Sequence, residues 1–161
     1  DCLKLLATQS PLAQDLRLIL AMTKINTDLE RMGDQAVNIS LNGQEYLNRP
    51  PLKPLIDIPR MAEQARFMTR EALDAFVKGD VKLAQDVLDR DDAVDQMKDQ
   101  VFRELLTYMM SDPKKIEQAL CLILIARNLE RVADHATNIA EDVIFVVSGQ
   151  DVRHGHCKVK A

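Results

Sequence analysis

Residues 26–40 read NTDLERMGDQAVNIS and residues 126–140 read ARNLERVADHATNIA. At an offset of 100 they share Leu, Glu, Arg, Asp, Ala, Asn and Ile, seven identities in fifteen positions, where unrelated segments give about one. The chain therefore carries an internal duplication, and each motif has to be read twice. Extending the offset leftwards brings Leu5-Leu6 onto Leu105-Leu106. On this alignment the earlier copy lacks its first helix and most of its second. The sequence thus reads as a fragment of a longer parent, with roughly 60 residues upstream.

The punctuation around the two copies is that of long helices. Ser10-Pro11 and Asp112-Pro113 each set an N-cap residue before a proline at the first helical position, where a missing N–H costs nothing. The spacing predicts one helix from about Pro11 to Leu47 and another from Pro113 to Ser148, with Gly149 as the left-handed stop. Between them, Asn48 to Pro59 holds four prolines and reads as an extended linker. Pro59 to Lys78 forms a further helix, Gly79-Asp80 is a break and the next N-cap, and Val81 to about Met110 is expected as one unbroken helix. The domain reading is a partial first repeat over 1–47, a linker over 48–58, a complete three-helix repeat over 59–149 and a tail over 150–161.

Composition agrees. With 47% apolar residues, no Trp, four Phe and two Tyr, the core must be aliphatic, and five Gly and six Pro are too few for an all-β chain. A net charge of −4 supplies no basic field for nucleic acid. Three cysteines, Cys2, Cys121 and Cys157, are an odd and widely spaced set that suits free thiols in a reducing compartment. The longest uncharged apolar run, Gln118 to Ala126, is about half of the roughly 20 residues that span a bilayer.

In the later copy, Leu129, Val132, Ala136, Ile139, Val143 and Val146 follow the alternating three-and-four spacing of a bundle seam. Leu29, Met32, Ala36, Ile39, Gly43 and Tyr46 are their counterparts in the earlier copy. On another face Glu130, Asp134 and Asn138 lie one turn apart, and Glu30, Asp34 and Asn38 repeat them. Paired carboxylates at this spacing are most often a solvated face, but they repel each other, and both copies keep them. Ion pairs to Arg31 and Arg131 are a local explanation. The helix over 81–110 has a buried stripe of Ala84, Val87, Leu88, Val94, Val101, Phe102, Leu105 and Tyr108, and Asp91 and Asp95 interrupt it. Carboxylates there require a metal ion, a lysine or an arginine. An oxygen-only set suits Mg²⁺, Mn²⁺ or iron and argues against a closed structural zinc site.

LERVADHATNIAEDV at 129–143 and LDRDDAVD at 88–95, with GQDVRH at 149–154, resemble the PhoU family, whose members contain two such repeats. The resemblance implies an all-α fold of two three-helix bundles related by pseudo-twofold symmetry, the first incomplete in this chain. It also implies metal binding through Glu30 with Asp34, Asp91 with Asp95, and Glu130 with Asp134. The expected cations are iron, manganese, magnesium or zinc, in a cluster that can be multinuclear. A fourth family motif is not in this sequence and would lie upstream of Asp1. Which acidic pairs meet is left open by the spacing. The resemblance further implies a non-enzymatic negative regulator that couples the ATPase subunit of a phosphate ABC transporter to a sensor histidine kinase. Such a protein would be cytoplasmic, held at the inner face of the membrane through partners, and a homo-oligomer.

Three alternatives compete with that reading. A helical metalloenzyme of the di-iron type needs Glu-x-x-His, whereas Glu130 lies five residues before His135, and no catalytic triad, nucleophilic Cys or phosphate-cradling Gly loop is present. A plain helical adaptor would use its acidic rows without metal. The soluble domain of a phosphate carrier is the third. His135 reads chiefly as a structural or surface histidine, Cys121 as a small core residue, and His154, His156 and Cys157 as part of a disordered tail rather than a metal site.

Overall fold

The computed structural model describes residues 2, 4, 13–150 and 152, and among these the regular structure is entirely helical. Helix α1 spans Ala13–Leu47, α2 Asp57–Lys78, α3 Val81–Leu88, α4 Asp91–Ser111 and α5 Ile116–Ser148, with a 3₁₀ turn at Pro113–Lys115. The segment expected over 1–9, the Ser10-Pro11 helix start and the tail expected over 150–161 lie almost wholly outside the described residues, His154, His156 and Cys157 among them.

Local chemistry sets most of these ends. Gly79 adopts a left-handed φ of 64°, its N–H reaches Phe76 O, and the N–H of Asp80 closes on Ala75 O. The Asp80 carboxylate then accepts from Leu83 N at 3.0 Å and starts α3. Asp112 does the same for Lys114 N, with Pro113 at the first position. Gly149, at φ 73°, ends α5 with its N–H on Phe145 O.

One expected helix is two. Between α3 and α4, Asp89 and Arg90 stay right-handed, but Arg90 N bonds Val87 O and Ala93 N bonds Arg90 O, so the chain tightens by one short turn. Asp91 and Asp92 thereby become the first turn of α4, where free N–H groups and the helix dipole favour carboxylates. The linker is tied to its surroundings. Leu52 N donates to the Tyr46 hydroxyl, Gln118 donates to Pro50 O, and the buried Lys53 pairs with Asp57 and Glu104.

Helix α5 is the centre of the molecule. It packs against α1 along one side and against α2, α3 and α4 on the others, so its buried residues are not confined to one stripe. Leu122, Ile139 and Ile144 of α5 lie with Met61, Met68 and Leu105 among the most completely buried side chains. Each contributes roughly 1.5–3 kcal/mol by leaving water. Helix α1 runs antiparallel to α5: Arg17 reaches Val146 O, Lys24 pairs with Asp142, and Asp28 bonds His135. That register is nearly its own image under the 100-residue offset. The counterparts of Asp28 and His135 are Asn128 and Gln35, and both are buried.

Candidate functional site

The carboxylates of α4 meet those of α5. Asp91 and Asp95 lie within electrostatic reach of Glu130 and Asp134, which settles the pairing that spacing left open. Lys98, one turn beyond Asp95, fills the gap. Its Nζ donates to Asp95 Oδ1 at 3.1 Å and to Glu130 Oε1 at 3.2 Å, with Asp99 Oδ1 at 3.7 Å. Burial works against its charge, yet the bonds to Asp95 and Glu130 hold Lys98 protonated well above the usual lysine range.

One ammonium does not neutralise four carboxylates. Burial, then Glu130, Asp91 and Asp95, pushes the Asp134 carboxyl up to about 6. Asp91 is also raised, first by burial and then by Asp95, Asp92 and Glu130, while Lys98 opposes the shift. Asp91 and Asp95 are half-buried at the edge of the core, not within its stripe, and Phe102 is 46% exposed beside Lys98 instead of buried as the periodicity predicts. With Ile123, Ala126 and Arg127 it lines a cleft of about 400 Å³ next to Glu130.

Glu30 and Asp34 stand apart. They are exposed on α1 and make no ion pair or side-chain hydrogen bond among the described residues. Arg31 and Arg131 likewise have no carboxylate partner among them, so the local ion pairs considered for the two copies are not formed.

As a donor set, Asp91, Asp95, Glu130 and Asp134 suit a hard cation, because all are oxygen ligands and two are held above their ordinary range by uncompensated charge. As arranged, no three such side chains among the described residues converge as a ligand set. Lys98 holds the place between Asp95 and Glu130, so a cation there would compete with its ammonium.

Sequence reasoning missed the polar seam between α1 and α5. His135 Nδ1 lies 2.9 Å from Asp28 Oδ1, both side chains are 13% exposed, and Asn138 adds a longer bond to the same oxygen. His135 is thus a structural histidine across the helix crossing. The signal was present: Asp28 sits four residues from Lys24, on the face that carries Ile25 and Met32. Cys121 is buried as expected, and burial first, then Glu45, pushes its thiol up.

These features define an all-α protein in which two copies of one acidic helix lie antiparallel and present carboxylates. The PhoU domain model matches residues 1–42 and 58–143, and the chain belongs to the PhoU family. A Pseudomonas putida protein named as a phosphate-specific transport system accessory protein PhoU homolog is 41% identical over 155 residues, covering 96% of this chain and 60% of the relative. The crystal structure of PhoU from Pseudomonas aeruginosa superposes with a TM-score of 0.89 at 40% identity, over 92% of this chain and 72% of that one. A phosphate transport system regulatory protein, PhoU from Streptococcus pneumoniae, gives a TM-score of 0.82 at 27% identity, over 94% of this chain and 70% of that one. These relatives are named as accessory and regulatory proteins, not as enzymes. The chain spans less than two thirds of the first of them. Among the described residues no helix is long and apolar enough to cross a membrane.

Proposed function

We propose that this chain is a regulator of phosphate transport and of the phosphate-starvation response. It links the ATPase subunit of a phosphate ABC transporter to a sensor histidine kinase and represses the response when phosphate is abundant. Membership of a family whose relatives are named for phosphate transport carries this reading. The test is affinity capture of the tagged chain from phosphate-replete cells. Recovery of transporter and kinase components supports the reading, and recovery of neither removes it.

Metal binding belongs to the same proposal. Asp91, Asp95, Glu130 and Asp134 would hold a hard cation, manganese, magnesium or iron before zinc, and the ion would supply the positive charge these carboxylates lack. Glu30 and Asp34 would serve only where a further acidic helix covers α1, which is then the third helix of a first repeat. The exposed Leu29, Val37 and Leu41 on α1 support such covering, by further repeat helices or by a second copy in a homo-oligomer.

The bond from Lys98 favours one rival, a metal-free adaptor with lysine as the permanent counter-charge. Elemental analysis of protein purified without added metal, beside a variant carrying Asp91→Asn and Glu130→Gln, separates the two. Equal metal content in both leaves the adaptor. A rise in melting temperature with Mn²⁺ in the parent alone supports the ion site.

A further inference from the structure

A second polar site lies where α1 and α5 cross. Arg31, Gln35, Arg131, Asp134, His135 and Asn138 line a cleft of about 470 Å³. The antiparallel register sets residues whose numbers sum to 163–166 opposite one another, as in Asp28 with His135 and Lys24 with Asp142. The duplicated arginines, Arg31 and Arg131, therefore fall almost opposite each other at the centre of the crossing. Two guanidiniums in one cleft without a carboxylate partner among the described residues are an unmet demand for an anion.

The rest of the lining restricts which anion. Gln35 is 9% exposed, and its amide oxygen is shut off from water with no hydrogen-bond partner among the described residues, an arrangement that costs free energy until the amide turns towards a donor in the cleft. Asp134 is a second acceptor on the wall. Asn138 is a donor, with one N–H directed to Asp28. A ligand that satisfies this mixture must offer acceptor oxygens to the arginines and a hydroxyl to Gln35 or Asp134. Sulfate has no such hydroxyl near neutral pH. A phosphomonoester has lost most of its own, since its second proton leaves near pH 6. Inorganic phosphate keeps at least one P–OH under the same conditions.

We propose that this cleft binds inorganic phosphate, with Arg31 and Arg131 holding its charged oxygens and Gln35 accepting from its hydroxyl. The chemistry stands on the cleft alone, while its meaning as a sensor rests on the regulatory reading above. Failure to capture transporter or kinase would remove that reading and leave phosphate affinity as it is.

Calorimetric titration of the chain with inorganic phosphate, sulfate and a simple phosphomonoester tests the assignment. Phosphate is expected to bind at least about tenfold more tightly than either of the others. Arg31→Gln and Arg131→Gln, both at exposed backbone positions that the fold does not need, are each expected to weaken phosphate by about tenfold or more with no change in melting temperature. Gln35→Met is expected to cut the preference for phosphate over sulfate to about threefold or less. It should also leave the phosphate-free protein as stable as before or more so, because it removes the unbonded oxygen. Equal affinity for phosphate and sulfate, undetectable binding of phosphate, or arginine variants that bind like the parent would each overturn the proposal.

Discussion

The two copies of one fifteen-residue motif live in different surroundings. In the later copy Leu129 is 6% exposed and Ala136 and Ile139 are fully buried, because α2, α3 and α4 cover that side of α5. In the earlier copy Leu29 is 39% exposed and Val37 59%, and α1 buries a rotated stripe, Ala21, Ile25, Asp28, Met32 and Gln35, chiefly against α5. The acidic rows diverge in the same way. Glu130 and Asp134 face Asp91, Asp95 and Lys98, whereas Glu30 and Asp34 face solvent. A motif on a helix fixes which residues share a face; what that face does is decided by the helices brought against it.

Matched substitutions probe that difference most strongly in the core. Leu129→Ala should cost about 2–5 kcal/mol in chemical denaturation, and Leu29→Ala less than about 1 kcal/mol, since only the former leaves a cavity in packed surroundings. Equal losses would mean that the α1 face is covered in solution, by a second copy or by further chain, and dilution would then distinguish the two. Lys98→Met should cost about 1–3 kcal/mol at neutral pH, because Asp95 and Glu130 lose the ammonium between them. Added Mn²⁺ should restore the melting temperature of that variant if the carboxylates hold an ion. The earlier copy has no such clamp, so neutralising Glu30 should leave stability within about 0.5 kcal/mol.

Much of this was legible in the sequence, where the cause is local. Gly79, Asp80, Asp112 and Gly149 end or start helices through their own backbone preferences and side-chain oxygens, and each lies where its residue type predicted. The break at Asp89-Arg90 was not legible. It uses neither glycine nor proline and needs only a tightening within right-handed geometry. The contact of Asp91 and Asp95 with Glu130 and Asp134 was equally hidden, since Glu30 and Asp34 have the same spacing and only tertiary packing separates them. Lys98 was anticipated only as a class, a lysine or arginine in place of metal. The rotated stripe of α1 was masked by the duplication itself, which assigned the earlier copy the seam of the later one.

The acidic rows give the comparison whose sign is least obvious from the sequence. Removing a charge from a helix surface is ordinarily neutral, and Asp34→Asn, on an exposed position with no ion pair, should change stability by less than about 0.5 kcal/mol. Asp134→Asn should instead stabilise. The Asp134 carboxyl is raised from 3.8 to about 6 in the folded chain by burial and by Glu130, Asp91 and Asp95. Between those values the folded chain keeps a proton that the unfolded chain has released, so its contribution to stability falls as pH rises through the interval. Above about pH 6 the full cost is present. Discounted for the exposure of the residue, relief of that cost is about 1 kcal/mol at neutral pH, or about 2–4 °C in melting temperature. The gain should shrink towards pH 4, where Asp134 is protonated and resembles its amide. It should also vanish when a divalent ion occupies the cluster, because the carboxylate is then worth more than the amide. A gain that persists unchanged at pH 4 would show that charge crowding among the four carboxylates is not its cause.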